Sequence, residues 1–321
     1  MRSMIALTRR GLMAAALASF AMAPMPQAAA AQEMRKVTVL RSPVGQFQGL
    51  YIAQERGYFR DRGLEVEIME GGAADQNVAR LMSGQADIAM TGSLPLINAV
   101  NNGLPILAML NNQDQGDPQT LGLVVAPDSP FQALPDLAGR SVGLPGVNSP
   151  QGLALSLALE KAGIDPASVK RVNLPMDSTV EAIRRGTVDA GIPVALFYEL
   201  ALQQGFREFP EVFEQIRGLA AVIFVARKDW LEKNAETARL FNEAMLEAYD
   251  DLNAHPDDVR RIDIAHTRLP KEFLLTRRLP VQVGTIDVAR WITLNGEAAR
   301  LGMISASPPA EAFIWSGAPR R

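Results

Sequence analysis

No cysteine occurs anywhere in the 321 residues. That removes disulfide frameworks, thiolate zinc sites, iron–sulfur clusters and cysteine nucleophiles, and it removes lipid anchoring through an N-terminal cysteine. Histidine is nearly absent too: His255 and His266 are the two, too few for a histidine-rich metal site. Charge of one sign is also lacking. The net charge is −3 at pH 7, which gives no electrostatic case for nucleic acid or an anionic membrane. Beyond residue 31 no apolar run reaches membrane-spanning length. What remains is ordinary globular material, 48% hydrophobic and 21% charged, enough for two domains each with its own core.

Residues 1–31 read as an export signal. Arg2, Arg9 and Arg10 form a basic start, Gly11 to Ala23 a short apolar segment, and Ala28-Ala29-Ala30-Ala31 supplies small residues for cleavage near Ala31. Thr8-Arg9-Arg10-Gly11-Leu12-Met13 resembles a twin-arginine signal; an ordinary secretory signal with paired arginines fits as well. Either route predicts a protein of the periplasm.

A pattern then occurs twice. Val37-Thr38-Val39-Leu40 is a β-branched run, Phe47, Leu50, Tyr51 and Gln54 have helical spacing, Leu64 to Met69 alternates, and Asp87 to Thr91 reads as a third strand. About a hundred residues later come Ser141 to Leu144, a helix capped by Ser149 with Pro150 at its first position, Val169 to Leu174, a helix with capping-box spacing at Ser178 and Glu181, and Val188 to Ile192. Gly84-Gln85-Ala86-Asp87 matches Gly186-Thr187-Val188-Asp189: a glycine ends a helix and an Asp opens a strand at the same offset. Alternating strands and helices predict parallel sheets with right-handed crossovers and ligands beyond the carboxyl ends of the strands. Thr120 to Ala126 reads as a strand leading out and Ala220 to Ala226 as one leading back. The expectation is residues 33–123 plus 222–321 in one lobe, 124–221 in the other, and a hinge of two crossover strands.

Gly49 to Phe59 (GLYIAQERGYF), then Gly63-Leu64-Glu65-Val66-Glu67, resembles the signature of the SsuA/TauA/THI5-like (NMT1) family of ABC transporter substrate-binding proteins. Leu81 to Asp87, Leu134 to Gly143 and Gly186 to Ala190 fit the same family. The resemblance implies an α/β, two-lobed type II periplasmic-binding-protein fold, a small-molecule ligand and an ABC permease in the inner membrane as partner. The family also holds a fungal thiamine-pyrimidine synthase branch with a cysteine-rich iron motif, and a chain without cysteine departs from it. The expected protein is a monomer without cofactor, metal or catalytic residues.

The loops after the strands supply the candidate ligand contacts. After the first strand, Arg41 offers a planar bidentate donor to a carboxylate or sulfonate, or is a solvated strand-end arginine. Ser42 and Gln46 donate to a ligand oxygen or cap the next helix. Gly71 and Gly72 permit close backbone approach or make a plain turn. Thr91, Gly92 and Ser93 open a helix whose amides favour an anion, and Asn148, Ser149 and Gln151 do the same in the second lobe. Pro193 follows the last strand, and Phe197 stacks on a ring or belongs to the core. Gly143 to Asn148 lacks the spacings and the lysine of a phosphate loop. The expected ligand is a small organic anion of the sulfonate, taurine, nitrate or carboxylate class. The alternatives are a thiamine-precursor pyrimidine or other flat aromatic solute, and a periplasmic enzyme of THI5-like type.

Overall fold

A computed structural model describes residues 34–42, 46–72, 74–116, 118–175 and 177–321. The export segment with its cleavage point, and the loop residues Pro43-Val44-Gly45, lie outside the described residues. In chain order, β1 (Arg35–Arg41), α1 (Gln48–Glu55), β2 (Leu64–Glu70), α2 (Ala74–Met82), β3 (Ile88–Thr91), α3 (Ser93–Asn101) and β4 (Ile106–Asp114) come first. Next are β5 (Leu123–Val125), β6 (Ser141–Leu144), α4 (Pro150–Lys161), β7 (Lys170–Asn173), α5 (Thr179–Arg184), β8 (Ala190–Gly191), α6 (Leu196–Gln203), β9 (Arg207–Phe209) and α7 (Pro210–Glu214). The chain returns through β10 (Ala220–Arg227) and ends with α8 (Lys228–Lys233), α9 (Ala235–Ala254), α10 (Pro256–His266), α11 (Lys271–Thr276), α12 (Val288–Arg300) and α13 (Ala310–Phe313).

Two five-stranded sheets result, β2-β1-β3-β10-β4 and β7-β6-β8-β5-β9. The expected parallel pairs are there: β1 beside β2 and β3, β6 beside β7 and β8. The sheets are nevertheless mixed, not parallel throughout. β10 runs antiparallel to β3 and β4, and β5 antiparallel to β8 and β9. The cause is the crossing itself. Each sheet takes one strand from a segment that has just come from the other sheet, and that strand enters from the opposite end.

The duplicated Gly-x-x-Asp joint does the same work twice. Gly84 and Gly186 take φ of +78° and +67°, a left-handed conformation that stops a helix cheaply only at glycine. Asp87 then accepts the Thr38 amide at 2.9 Å while its own amide donates to Thr38 O at 3.0 Å. Asp189 accepts the Ser141 amide at 2.8 Å, and its amide donates to Ser141 O at 3.0 Å. Each aspartate thus fixes a register, β3 against β1 in the first sheet and β8 against β6 in the second. The capping box expected at Ser178 does not form. Ser178 Oγ donates to Pro175 O, and Glu181 pairs with Arg184 and Arg185 instead.

The first sheet is covered by α9, whose Phe241 lies 5.5 Å from Phe59 and 5.7 Å from Phe224, ring centre to ring centre. Burying such a ring stabilises by about 1.5–3 kcal/mol. The C-terminal helices serve both sheets. α12 follows the return strand, yet its Arg290 donates to Gln215 O and Arg217 O, and its Arg300 pairs with Glu160 of α4.

Candidate functional site

Strand ends from both sheets converge on a cavity of about 300 Å³. Gln46, Gln113, Ala221 and Val222 line it from the first sheet. Thr120, Leu121, Gln151, Val194, Ala195 and Glu199 line it from the second. A third wall comes from the segment after α9, with Asp263, Thr267, Leu269, Phe273, Arg277 and Arg278. A broader depression of about 600 Å³ between α4 and α12 is shallow and crossed by the exposed Arg300–Glu160 pair. The interlobe cavity is the better candidate, because strand termini and crossover segments meet there.

Those crossovers are joined. The Gln115 amide donates to Leu219 O at 2.8 Å, and the Gly218 amide donates to Gln115 O at 2.7 Å. The hinge therefore continues the β4–β10 ladder. Below it, Ala195 has φ +47° and ψ −122°, a strained conformation for a residue with a Cβ. Its amide is held by Thr120 O at 2.7 Å, and Phe197 donates to Val194 O at 3.1 Å. This turn starts α6 and thereby aims Glu199.

Charge in the cavity is arranged in two groups. Asp263 accepts Arg277 Nε at 3.0 Å and Nη2 at 2.5 Å, and it also accepts Gln48 Nε2. Both members of that ion pair are largely buried, and α10 is tied to α1 through it. Glu199, 9% exposed, receives the Arg278 amide on Oε1 at 3.3 Å, and its carboxyl makes no other hydrogen bond among the described residues. Burial pushes its pKa up, offset in part by that amide and by the charges of Arg278, Arg277 and Arg260. The Arg278 guanidinium lies 5.6 Å from the Tyr198 ring centre. Tyr198 is buried and donates to Glu208, and its pKa is raised by burial first and by Glu208 second. The C-terminal segment thus touches α6 of the other sheet directly.

The NMT1/THI5 like family model matches residues 44–259. The chain belongs to this family. Its relatives divide by chemistry. The taurine-binding periplasmic protein of Escherichia coli (strain K12) is 27% identical over 210 residues, spanning 64% of this chain and 63% of that protein. The 4-amino-5-hydroxymethyl-2-methylpyrimidine phosphate synthase THI13 of Saccharomyces cerevisiae is 23% identical over 220 residues, again 64% of this chain and 63% of that protein. The chain therefore aligns to less than two thirds of either relative. The crystal structure of the aliphatic sulphonate binding protein SsuA from Escherichia coli superposes with a TM-score of 0.74 at 20% identity, covering 88% of this chain and 93% of that one. The two-lobed α/β periplasmic-binding-protein fold expected from the sequence is the fold of this NMT1/THI5-like chain.

Within this family frame the candidate residues separate. Gln46 and Gln151, on opposite sheets, are brought together in the cavity wall. Arg41 is not in that wall. It is 3% exposed, lies 4.4 Å over the Phe47 ring, and donates to Tyr51 Oη, Ser42 O, Glu70 and His266 O. It anchors the end of β1. Ser42 is half-buried beside it. The amides of Gly71 and Gly72 are spent on Arg41 O and Asn77 Oδ1. Thr91 and Ser93 are buried, Gly92 caps α3, and Ser93 Oγ has no partner among the described residues. Asn148 is exposed, while Ser149 caps α4 by accepting the Gly152 amide at 3.3 Å. Pro193 is buried, and Phe197, partly buried, packs against the apolar cluster that holds Val124, Val180 and Tyr198 and is not among the residues lining the cavity.

The sequence reading missed Gln113, Gln115, Thr120, Glu199 and the whole third wall. For the first two a signal existed. The apolar run Ile106 to Leu110 gives way to Asn111-Asn112-Gln113-Asp114-Gln115, four carboxamides where a strand end becomes a cleft wall. The cavity also holds more charge than expected, two arginines and two carboxylates in place of a lone arginine. The third wall carries no motif, and it lies beyond the stretch that the family model matches.

Proposed function

We propose that this chain is the substrate-binding component of an ABC importer, acting in the periplasm as a monomer, and that it takes a small organic anion in the interlobe cavity. The observation that carries this reading is the cavity itself. It is walled by both sheets and spanned by two crossovers that can bend together, so a ligand touching both walls favours the closed form that a permease recognises. Arg278 and the first turn of α4 give the wall its anion-facing side. The taurine-binding relative and the sulphonate-binding structural neighbour support the choice of class. No chemistry is assigned to the site: Asp263 is neutralised by Arg277, and no histidine lines the cavity among the described residues.

Glu199 favours a second reading. Its buried carboxyl has acceptor capacity left over, which suits a ring with amino or ring N–H donors such as a thiamine-precursor pyrimidine. Thermal unfolding of residues 32–321 against sulfonates, taurine, nitrate, carboxylates and aminopyrimidines tests both. A ligand at a thousand times its Kd stabilises by about 4 kcal/mol, a shift on the order of 2–4 °C per kcal/mol. A shift with one class and no consumption of the compound is the expected result. Turnover of a panel member would replace the transport reading with the enzymatic one, and no shift with any would remove the small-anion assignment.

A further inference from the structure

Among the described residues, four charged side chains line the interlobe cavity: Glu199, Asp263, Arg277 and Arg278. Two of them neutralise each other, since Asp263 and Arg277 form the buried ion pair. Glu199 and Arg278 make no ion pair with each other or with any other described residue. They meet through the main chain instead. The Arg278 amide, not its guanidinium, donates to Glu199 Oε1, at 3.3 Å. The guanidinium belongs to an exposed side chain and lies 5.6 Å from the Tyr198 ring centre. Glu199 Oε2 makes no hydrogen bond among the described residues, yet it is not one of the unpartnered side-chain atoms sealed from solvent. The unpaired oxygen therefore keeps accessible surface, in a residue that is only 9% exposed and borders the cavity. A carboxylate so buried, with one long amide bond, is costly to ionise, and burial accordingly pushes its pKa up. One charge of each sign thus stands at the same cavity, each short of a partner.

We propose that the cavity selects dipolar ligands, small molecules that carry an anionic group for Arg278 and an ammonium N–H donor for Glu199 Oε2. This rests on the reading of the cavity as a small-anion site and narrows it, with Glu199 as the specificity-determining residue. A plain anion satisfies Arg278 but brings a like charge towards Glu199, whose carboxyl then stays unpaired or must take up a proton. A dipolar molecule supplies the missing partner to both groups at once. Selectivity of this kind comes as much from the charge that repels the wrong ligand as from the bond made to the right one. The same two contacts join α6 to the segment after α11, so the ligand bridges two walls of the cavity.

Matched pairs test this by titration calorimetry on the full mature chain at neutral pH. The pairs are taurine with ethanesulfonate, and β-alanine with propionate. The wild type is expected to bind the dipolar member of one pair at least ~10-fold more tightly, on the scale of one hydrogen bond to a charged group. Glu199→Gln keeps the shape and removes the charge. It weakens the dipolar member and strengthens the plain anion, so the preference collapses. Arg278→Gln weakens both members alike, because both carry the anionic group. Equal affinity for the two members in the wild type, or tighter binding of the plain anion, overturns the proposal and leaves the small-anion reading standing. A uniform loss of both members in Glu199→Gln marks a structural role and also overturns it. If the wild type binds no member of either pair, the small-anion reading of the cavity falls, and this inference with it.

Discussion

Gly152 shows how little room the ligand wall leaves. A Cβ at this position would lie 1.9 Å from Val147 O, so the loop before α4 packs directly on the first turn of the helix. Gly152→Ala must push that loop away, and with it Ser149, which caps the helix, and Gln151, which lines the cavity. Loss of the cap alone costs about 1 kcal/mol. The expected outcome is a protein that still folds, with a lowered unfolding midpoint and weakened ligand affinity, read by calorimetry. Glu199 gives a prediction with a pH signature. Burial raises its pKa in the folded state, so the ionised form is disfavoured there. Stability is fullest at pH below the ordinary carboxylate range and declines as pH rises through the unfolded value towards the folded one. Glu199→Gln therefore leaves the midpoint near wild type at pH 4 and raises it at pH 8. A midpoint gain equal at both pH values would show that ionisation is not the cause.

At the scale of elements, the paired aspartate joints hold β3 in register against β1 and β8 in register against β6. In Asp189, burial works to raise the pKa, but the Ser141 amide and hydroxyl and the charge of Arg140 outweigh it, and the net shift is downward. Its contribution is therefore present at neutral pH and lost only as pH falls through the depressed folded value. Asp189→Asn should cost about 1–2 kcal/mol at pH 7 and much less in strong acid, as denaturant unfolding at the two pH values would show. These joints were legible because glycine followed by Asp at fixed offset is a local code. Other elements were not. The first half of β4, Ile106 to Leu110, is a continuous apolar run rather than an alternation, and such a run does not distinguish strand from helix. β9 is three residues long. Arg41 has the chemistry of an anion contact, but only tertiary packing reveals that Phe47, Tyr51 and Glu70 surround it. The third wall was illegible for the same reason: which face of α10 meets the cavity is decided by how it docks on α1, and α11 is placed by packing on α10.

For the whole molecule, the link between the C-terminal segment and α6 bears on closure. The Arg278 amide donates to Glu199 and its guanidinium lies over the Tyr198 ring, so the chain's own residues hold the C-terminal segment against α6. Arg278→Ala should shift the population towards an open form, seen as a larger radius of gyration in small-angle X-ray scattering. Ligand affinity should fall by the fraction of closed protein lost. An unchanged radius with reduced affinity would mean that Arg278 acts on the ligand alone.

The strand that returns from the second lobe also sets an order of assembly. β10 is inserted between β3 and β4, and it emerges about a hundred residues after β4. Until it does, β4 has no neighbour in its own sheet. At synthesis rates of 5–20 residues per second the wait is on the order of ten seconds, during which Ile106 to Leu110 presents an unsatisfied apolar edge. The second sheet waits less: its strands lie in one continuous stretch, and β5 stands unpaired only for the roughly 65 residues until β8 emerges. The lobe begun first is therefore the lobe completed last, and the interval is one in which a newly made chain needs shielding from its neighbours.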